Sequence, residues 1–191
     1  METDKNILKI LLKDLKARTI TYLAEETKIT RTGVWKILKK LERKNLILLN
    51  RIGKGKTSTH IISLNWENPV LEKTLNLLLT EDALEQKRWI SNFKDLENKV
   101  DFLIIYGSIL KTNKANDIDL LGISKDNFTE IEKIIRKIQN TQIKKIHSIN
   151  FTPEEFKREL KKNKAFIDAV KKGIILFGQE KFIKFMKNLK A

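Results

Sequence analysis

The sequence contains no cysteine, which excludes disulfides and thiolate-bound metals, and its two histidines, His60 and His147, are too few for an imidazole-based zinc centre. Any metal must therefore sit on oxygen. No run of about 18 apolar residues occurs and no basic leader precedes an apolar segment, so neither a membrane span nor a signal peptide is predicted, and the expected compartment is the cytoplasm. Only seven glycines and two prolines break the chain, with no internal repeat or low-complexity linker, so domain boundaries have to be read from pattern.

What is present is positive charge. The 39 Lys and Arg against 24 Asp and Glu give +15 over 191 residues, and the 41% apolar content suits two small globular domains. A polyanion is the partner class to which this balance points. Residues 1–66 carry 15 basic and 6 acidic side chains, net +9, and residues 67–191 carry 24 and 18, net +6. The N-terminal third is thus the more basic per residue.

From Asn6 to Leu15 the residues Ile7, Leu8, Ile10, Leu11, Leu12 and Leu15 form a helical apolar stripe behind Asp4 as a candidate cap, which predicts a first helix. Thr19 or Thr21 opens a second, ending near Thr27, and Thr30 opens a third that runs to about Lys44. Two helices joined by so short a turn suggest a helix-turn-helix. In the third, Val34, Ile37, Leu38 and Leu41 face inward, leaving Arg31, Thr32, Trp35, Lys36, Lys39, Lys40 and Arg43 mainly outward. Leu46 to Ile52 and Thr57 to Leu64 read as strands joined by Gly53-Lys54-Gly55-Lys56, a hairpin with a basic tip.

Three helices followed by a basic hairpin, with Thr32-Gly-Val-Trp-Lys-Ile-Leu-Lys-Lys-Leu-Glu-Arg-Lys-Asn-Leu-Ile in the third helix, resemble the winged helix-turn-helix of archaeal and bacterial transcription regulators over roughly residues 6–65. That resemblance implies double-stranded DNA as a partner. The helix cations, with Lys54 and Lys56 of the wing, would neutralise phosphates, while Thr32 and Trp35 reach base edges or pack on sugars. The competing readings are an ordinary solvated basic face and a winged helix used for protein contacts; the basic hairpin tip favours DNA.

At Trp66-Glu-Asn-Pro69 the pattern changes. Val70, Leu71, Leu75, Leu78 and Leu79 form one helical stripe, and Thr80-Glu81-Asp82 reads as a new helix start, continued by Leu84, Trp89, Ile90, Phe93, Leu96 and Val100. Residues 67–99 are therefore read as linker helices between domains 1–66 and 100–191. Their apolar surplus fits either a homodimer contact or packing against the chain's own domains.

The segment Asp101 to Ile123 concentrates the demanding chemistry. Phe102 to Tyr106 is a buried-strand run stopped by Gly107-Ser108, and Asp117-Ile-Asp-Leu-Leu-Gly-Ile is a second strand entered through two carboxylates. The two-residue period of a strand sets Asp117 and Asp119 on one side and Ile118 in the core. Such a pair, opposite a turn that offers backbone N–H groups and a hydroxyl, suits magnesium and a nucleoside triphosphate. Aspartates that merely cap a turn are the plain alternative.

Gly107-Ser108 followed by Asp117-x-Asp119 resembles the signature of minimal nucleotidyltransferase domains, and Lys171 to Gly178 resembles the strand and glycine turn that close them, so the similarity covers roughly residues 100–191. The resemblance implies an α+β protein overall, in which the winged helix-turn-helix precedes a small α/β nucleotidyltransferase-like domain with a mixed sheet. It implies Asp117 and Asp119 as Mg2+ ligands and catalytic residues, with Gly107 and Ser108 as the nucleotide-binding turn. Active members carry a third carboxylate on the next strand. Here Lys144 to Phe151 has none, only His147 and Asn150 near the place, which implies a nucleotide site that transfers poorly or not at all. Three functions remain open: a DNA-binding regulator with an inactive nucleotide site, an active nucleotidyltransferase that uses DNA binding for autoregulation, and a pair of interaction modules.

Overall fold

Acidic side chains at a helix N-terminus complement its dipole, and Glu2 and Asp4 in the first turn let helix α1 (Glu2–Lys13) begin at Glu2 rather than at Asn6. Asp4 is not a cap; its carboxylate accepts from Lys40, 2.5 Å away. The computed structural model describes residues 2–53, 58–112 and 114–190, so Lys54 and Lys56 of the expected wing tip lie outside the described residues. Two compact units are present: Met1–Leu78 with Met186–Ala191, and Leu79–Phe185.

In the first unit a short strand β1 (Arg18–Thr19), which the sequence pattern does not reveal, precedes helices α2 (Ile20–Thr27) and α3 (Arg31–Arg43) and strands β2 (Ile47–Ile52) and β3 (Thr59–Leu64). Thr19 caps α2 by accepting from the Tyr22 N–H at 3.3 Å, and Thr30 caps α3 by accepting from the Gly33 N–H at 3.2 Å. Between them Lys28 adopts a left-handed φ of 56°, and its N–H closes the end of α2 on Ala24 and Glu25. The strands form an antiparallel sheet in the order β1-β3-β2, with Ile47 opposite Leu64 and Ile52 opposite Thr59. Ile7, Leu12, Leu23, Val34, Leu38 and Ile62, each 0% exposed, make the core of this unit.

A buried carboxylate and a half-buried lysine complete it. Asp14, 1% exposed, accepts from Nε and Nη2 of Arg18 at 2.8 and 2.7 Å. Lys190 donates to the Leu11 and Leu12 carbonyls at 2.5 and 2.8 Å, which satisfies two of the acceptors that a helix C-terminus leaves over.

Helix α4 (Pro69–Leu84) runs straight through Thr80. The expected break there is corrected by packing: Leu71, Leu75, Leu78, Leu79 and Ala83 form one buried stripe across the position, and Thr80 is half-buried along it. The next helix is α5 (Lys87–Asn92), followed by a 3-10 turn over Lys94–Leu96.

The second unit is built on strands β4 (Phe102–Tyr106), β5 (Asp117–Ile123), β6 (Lys145–Phe151) and β7 (Ile174–Phe177), with helices α6 (Phe128–Gln139), α7 (Pro153–Lys162), α8 (Lys164–Lys172) and the part of α9 (Gln179–Lys190) up to Phe185; the rest of α9 belongs to the first unit. Sheet order is β6-β5-β4-β7; β5 and β6 are parallel, and β4 is antiparallel to both β5 and β7. The sheet is mixed, as expected. On one face Leu103, Ile105, Ile118 and Leu120 pack with Trp89, Phe93, Leu96, Ile131 and Ile138. On the other, Phe102 and Phe151 join Phe156, Phe166, Phe182 and Phe185 in an aromatic cluster whose ring centroids lie 5.2–6.2 Å apart. Removing one such ring, as in Phe156→Ala, costs about 3–5 kcal/mol.

Candidate nucleic-acid interface and acidic site

Helix α3 buries Val34, Leu38 and Leu41, so at 3.6 residues per turn Thr32, Lys36 and Arg43 form a stripe on the side away from the core, with Lys39 at its half-buried edge. Arg31, Thr32, Lys36, Lys40 and Arg43 are exposed, as expected. Trp35 and Lys39 are not simply outward. The Trp35 ring is half-buried against His60 of β3, with centroids 5.1 Å apart, and Lys39 Nζ stands 4.8 Å over the same ring. Trp35 thereby joins the recognition helix to the hairpin, a contact that sequence spacing cannot reveal because His60 is remote in the chain.

The cations also divide by commitment. Lys39 pairs with Glu42 at 2.8 Å and Lys40 with Asp4 at 2.5 Å, whereas Arg31, Lys36 and Arg43 form no ion pair among the described residues. An uncommitted charge breaks no ion pair when it meets a phosphate, while Lys40 would first have to leave Asp4 of α1. Thr32, Lys36 and Arg43 therefore form the part of the interface that is ready without rearrangement.

In the second unit the four residues singled out at the acidic site come together. Asp117 and Asp119 are half-buried on one face of β5, with Ile118 between them 0% exposed. Gly107 takes a φ of 86°, which disfavours a side chain, and a Cβ there would stand 2.1 Å from Asp119 Oδ2. The aspartate carboxylate therefore occupies the space that glycine leaves free. Ser108 is exposed at the head of a 3-10 turn whose Ile109 is buried, and its carbonyl accepts from the Lys111 and Thr112 N–H groups at 2.9 and 3.1 Å.

Two neighbours of Asp119, Tyr106 and His147, complete the surroundings of this site. Tyr106 lies opposite Asp119 in the β4–β5 register, and burial, then the Asp119 charge, raises its phenol pKa. His147 is Asp119's partner in β6, its Nδ1 3.6 Å from Asp119 Oδ1, whereas Asn150 pairs with Gly122 on the opposite face of the sheet. Of the two residues at the expected third-carboxylate position, only His147 belongs to this site. Among the described residues no group of three His, Asp or Glu side chains is placed to hold a metal ion. Two carboxylates are nonetheless the donor set of a magnesium that completes its shell with phosphate oxygens and water.

Among the described residues no helix is long and apolar enough to cross a membrane. A protein-family profile described as winged helix-turn-helix DNA-binding matches residues 2–47. No curated protein matches. Among solved structures, a cysteine-to-serine mutant of Lactococcus lactis ZitR is 26% identical over 52% of this chain and 61% of that one, with a TM-score of 0.34. The crystal structure of Lactococcus lactis ZitR, a zinc-responsive MarR family member, is 22% identical over 74% of this chain and 72% of that one, with a TM-score of 0.35. This chain thus spans 61% of the length of the first of these. The profile covers α1, β1, α2, α3 and the entry to β2, the elements that present Thr32, Lys36 and Arg43: the N-terminal part of the chain is a winged helix-turn-helix DNA-binding domain.

Proposed function

We propose that the protein is a transcription regulator that binds duplex DNA through α3 and the β2–β3 hairpin, and whose second unit binds a magnesium nucleoside triphosphate with little or no transfer. The stripe Thr32, Lys36 and Arg43, with Lys39 at its edge, carries the first part. Thr32 is the residue on it that reads base edges, and the cations hold phosphates.

The second part is supported by the fit of Asp119 against Gly107. Asp117 and Asp119 would hold the magnesium, and Ser108 with the Gly107–Ser108 backbone would receive the terminal phosphates. His147 sits where transfer chemistry calls for a further carboxylate; an imidazole brings no negative charge for a second magnesium, hence binding without turnover.

A second copy of the chain is the third partner of this reading. Val70, Leu77 and Leu84 of α4 are 58%, 59% and 54% exposed at a seven-residue spacing, two helical turns apart each time. In an antiparallel pair centred on Leu77, Val70 meets the other copy's Leu84, and Lys73 meets its Glu81.

Selection of duplexes from a random-sequence library, with and without each nucleoside triphosphate plus magnesium, tests the whole reading. Enrichment of a two-fold symmetric sequence together with saturable nucleotide binding is expected. Absence of enrichment removes the regulator, and robust transfer of label from the triphosphate replaces the silent site with an active nucleotidyltransferase.

A further inference from the structure

The first unit contains a cleft of about 300 Å³ that the DNA-binding face does not use. Its walls come from Leu11, Leu15, Lys16 and Ala17 at the end of α1, from Ile62, Ser63 and Leu64 of β3, and from Trp66 and Lys190. The lining is an apolar and aromatic body with one hydroxyl and two ammonium groups, and its volume suits a small organic molecule.

The charges around it do not cancel. Among the described residues Asp14 is the carboxylate beside Lys190, and it also accepts two hydrogen bonds from the Arg18 guanidinium, so one negative charge faces Arg18, Lys190 and Lys16. Lys190 spends two of its three N–H donors on the Leu11 and Leu12 carbonyls, and Lys16 is exposed at the cleft. The β3 residues in the lining add no charge. Burial of the Lys190 ammonium, with Arg18 adding to it and Asp14 opposing it, pulls its pKa down to about 8.

We propose that this cleft is a binding site for a small organic monoanion, a carboxylate on an apolar or aromatic body, with the carboxylate on Lys190 and Lys16 and the body between Leu15, Ala17 and Trp66. The anion takes the remaining Lys190 donor and supplies the missing counter-charge. Apolar walls exclude a compact, strongly hydrated anion such as inorganic phosphate. The site touches none of the residues assigned to DNA or nucleotide, so it stands or falls independently of those readings.

Calorimetric titration of the full chain with benzoate and hexanoate, with benzyl alcohol, hexanol and inorganic phosphate as comparators, tests it. The carboxylates should bind saturably with one molecule per chain, and the alcohols at least tenfold more weakly, roughly the value of one charge-assisted hydrogen bond. Lys190→Met, which keeps the aliphatic stem, should erase that difference. Because Lys190 loses its proton as pH rises past about 8, carboxylate affinity should fall between pH 7 and pH 9.5 in wild type and stay level in the variant. Alcohols binding as tightly as acids, a Lys190→Met variant with wild-type affinity, or no saturation at millimolar carboxylate each overturn the proposal. Should that variant unfold, Lys16→Met, an exposed change, still has to weaken benzoate severalfold, and an unchanged affinity there refutes the site.

Discussion

Removing Lys36 and Arg43 together, as Lys36→Ala/Arg43→Ala, separates a DNA-contacting stripe from a merely solvated one. Both are exposed on α3 seven residues apart, on the side opposite Val34, Leu38 and Leu41, and form no ion pair among the described residues, so their loss should leave the core intact. Each phosphate contact contributes about −0.9 to the slope of log affinity against log salt for B-DNA, so losing two should flatten the slope by about 1.8. Over a fourfold rise in salt, from about 50 to 200 mM, the affinity deficit of the double variant should then shrink about twelvefold relative to wild type. Fluorescence anisotropy of a labelled duplex across that range measures it. Lys40→Ala is the internal control: its charge is committed to Asp4, so the slope should change little while stability drops by less than about 1 kcal/mol. A double variant with the wild-type slope refutes the assignment of the stripe to phosphates, and an equally large change in Lys40→Ala refutes the division between committed and uncommitted cations.

Two further outcomes test the packing. Gly107→Ala forces a Cβ into the left-handed region and against the Asp119 carboxylate; a loss of about 1–3 kcal/mol is expected in urea melts, and it should be smaller in an Asp119→Ala background, where the crowding is relieved but the φ strain remains. Lys190 has a native pKa of about 8 against an ordinary 10.5. Between these values the unfolded chain holds a proton that the native one lacks, so wild-type stability should rise with pH across that window, by on the order of 3 kcal/mol, relative to Lys190→Met. Parallel pH profiles of the two proteins would refute the desolvated ammonium.

The elements that sequence pattern locates well are those with strong local signals. Thr19 and Thr30 cap their helices, and the strands Phe102–Tyr106 and Asp117–Ile123 fall where the apolar runs are. Thr80 misleads because a half-buried polar triplet inside a helix looks like a cap when the stripe behind it cannot be seen. The short β1 strand exists through its pairing with Ile61 and Ile62, a non-local cause with no local trace. At the acidic site alternation suffices to place Asp117 and Asp119, but choosing His147 over Asn150 requires the register of β6 against β5, which no single strand encodes. Trp35 has the spacing of an outward residue, and only the hairpin folding back brings His60 against its ring.

The attachment of Lys190 to the end of α1 bears on how the protein is made. The acceptors it satisfies lie 178 and 179 residues earlier in the chain, with Lys187 bonded to Glu72 at a separation of 115. A ribosome synthesising about 5–20 residues per second exposes α1 roughly 10–35 s before Lys190 emerges, and the whole second unit is translated in that interval. The winged helix-turn-helix thus emerges first but is completed after its neighbour, with the carbonyls of Leu11 and Leu12 held by water meanwhile.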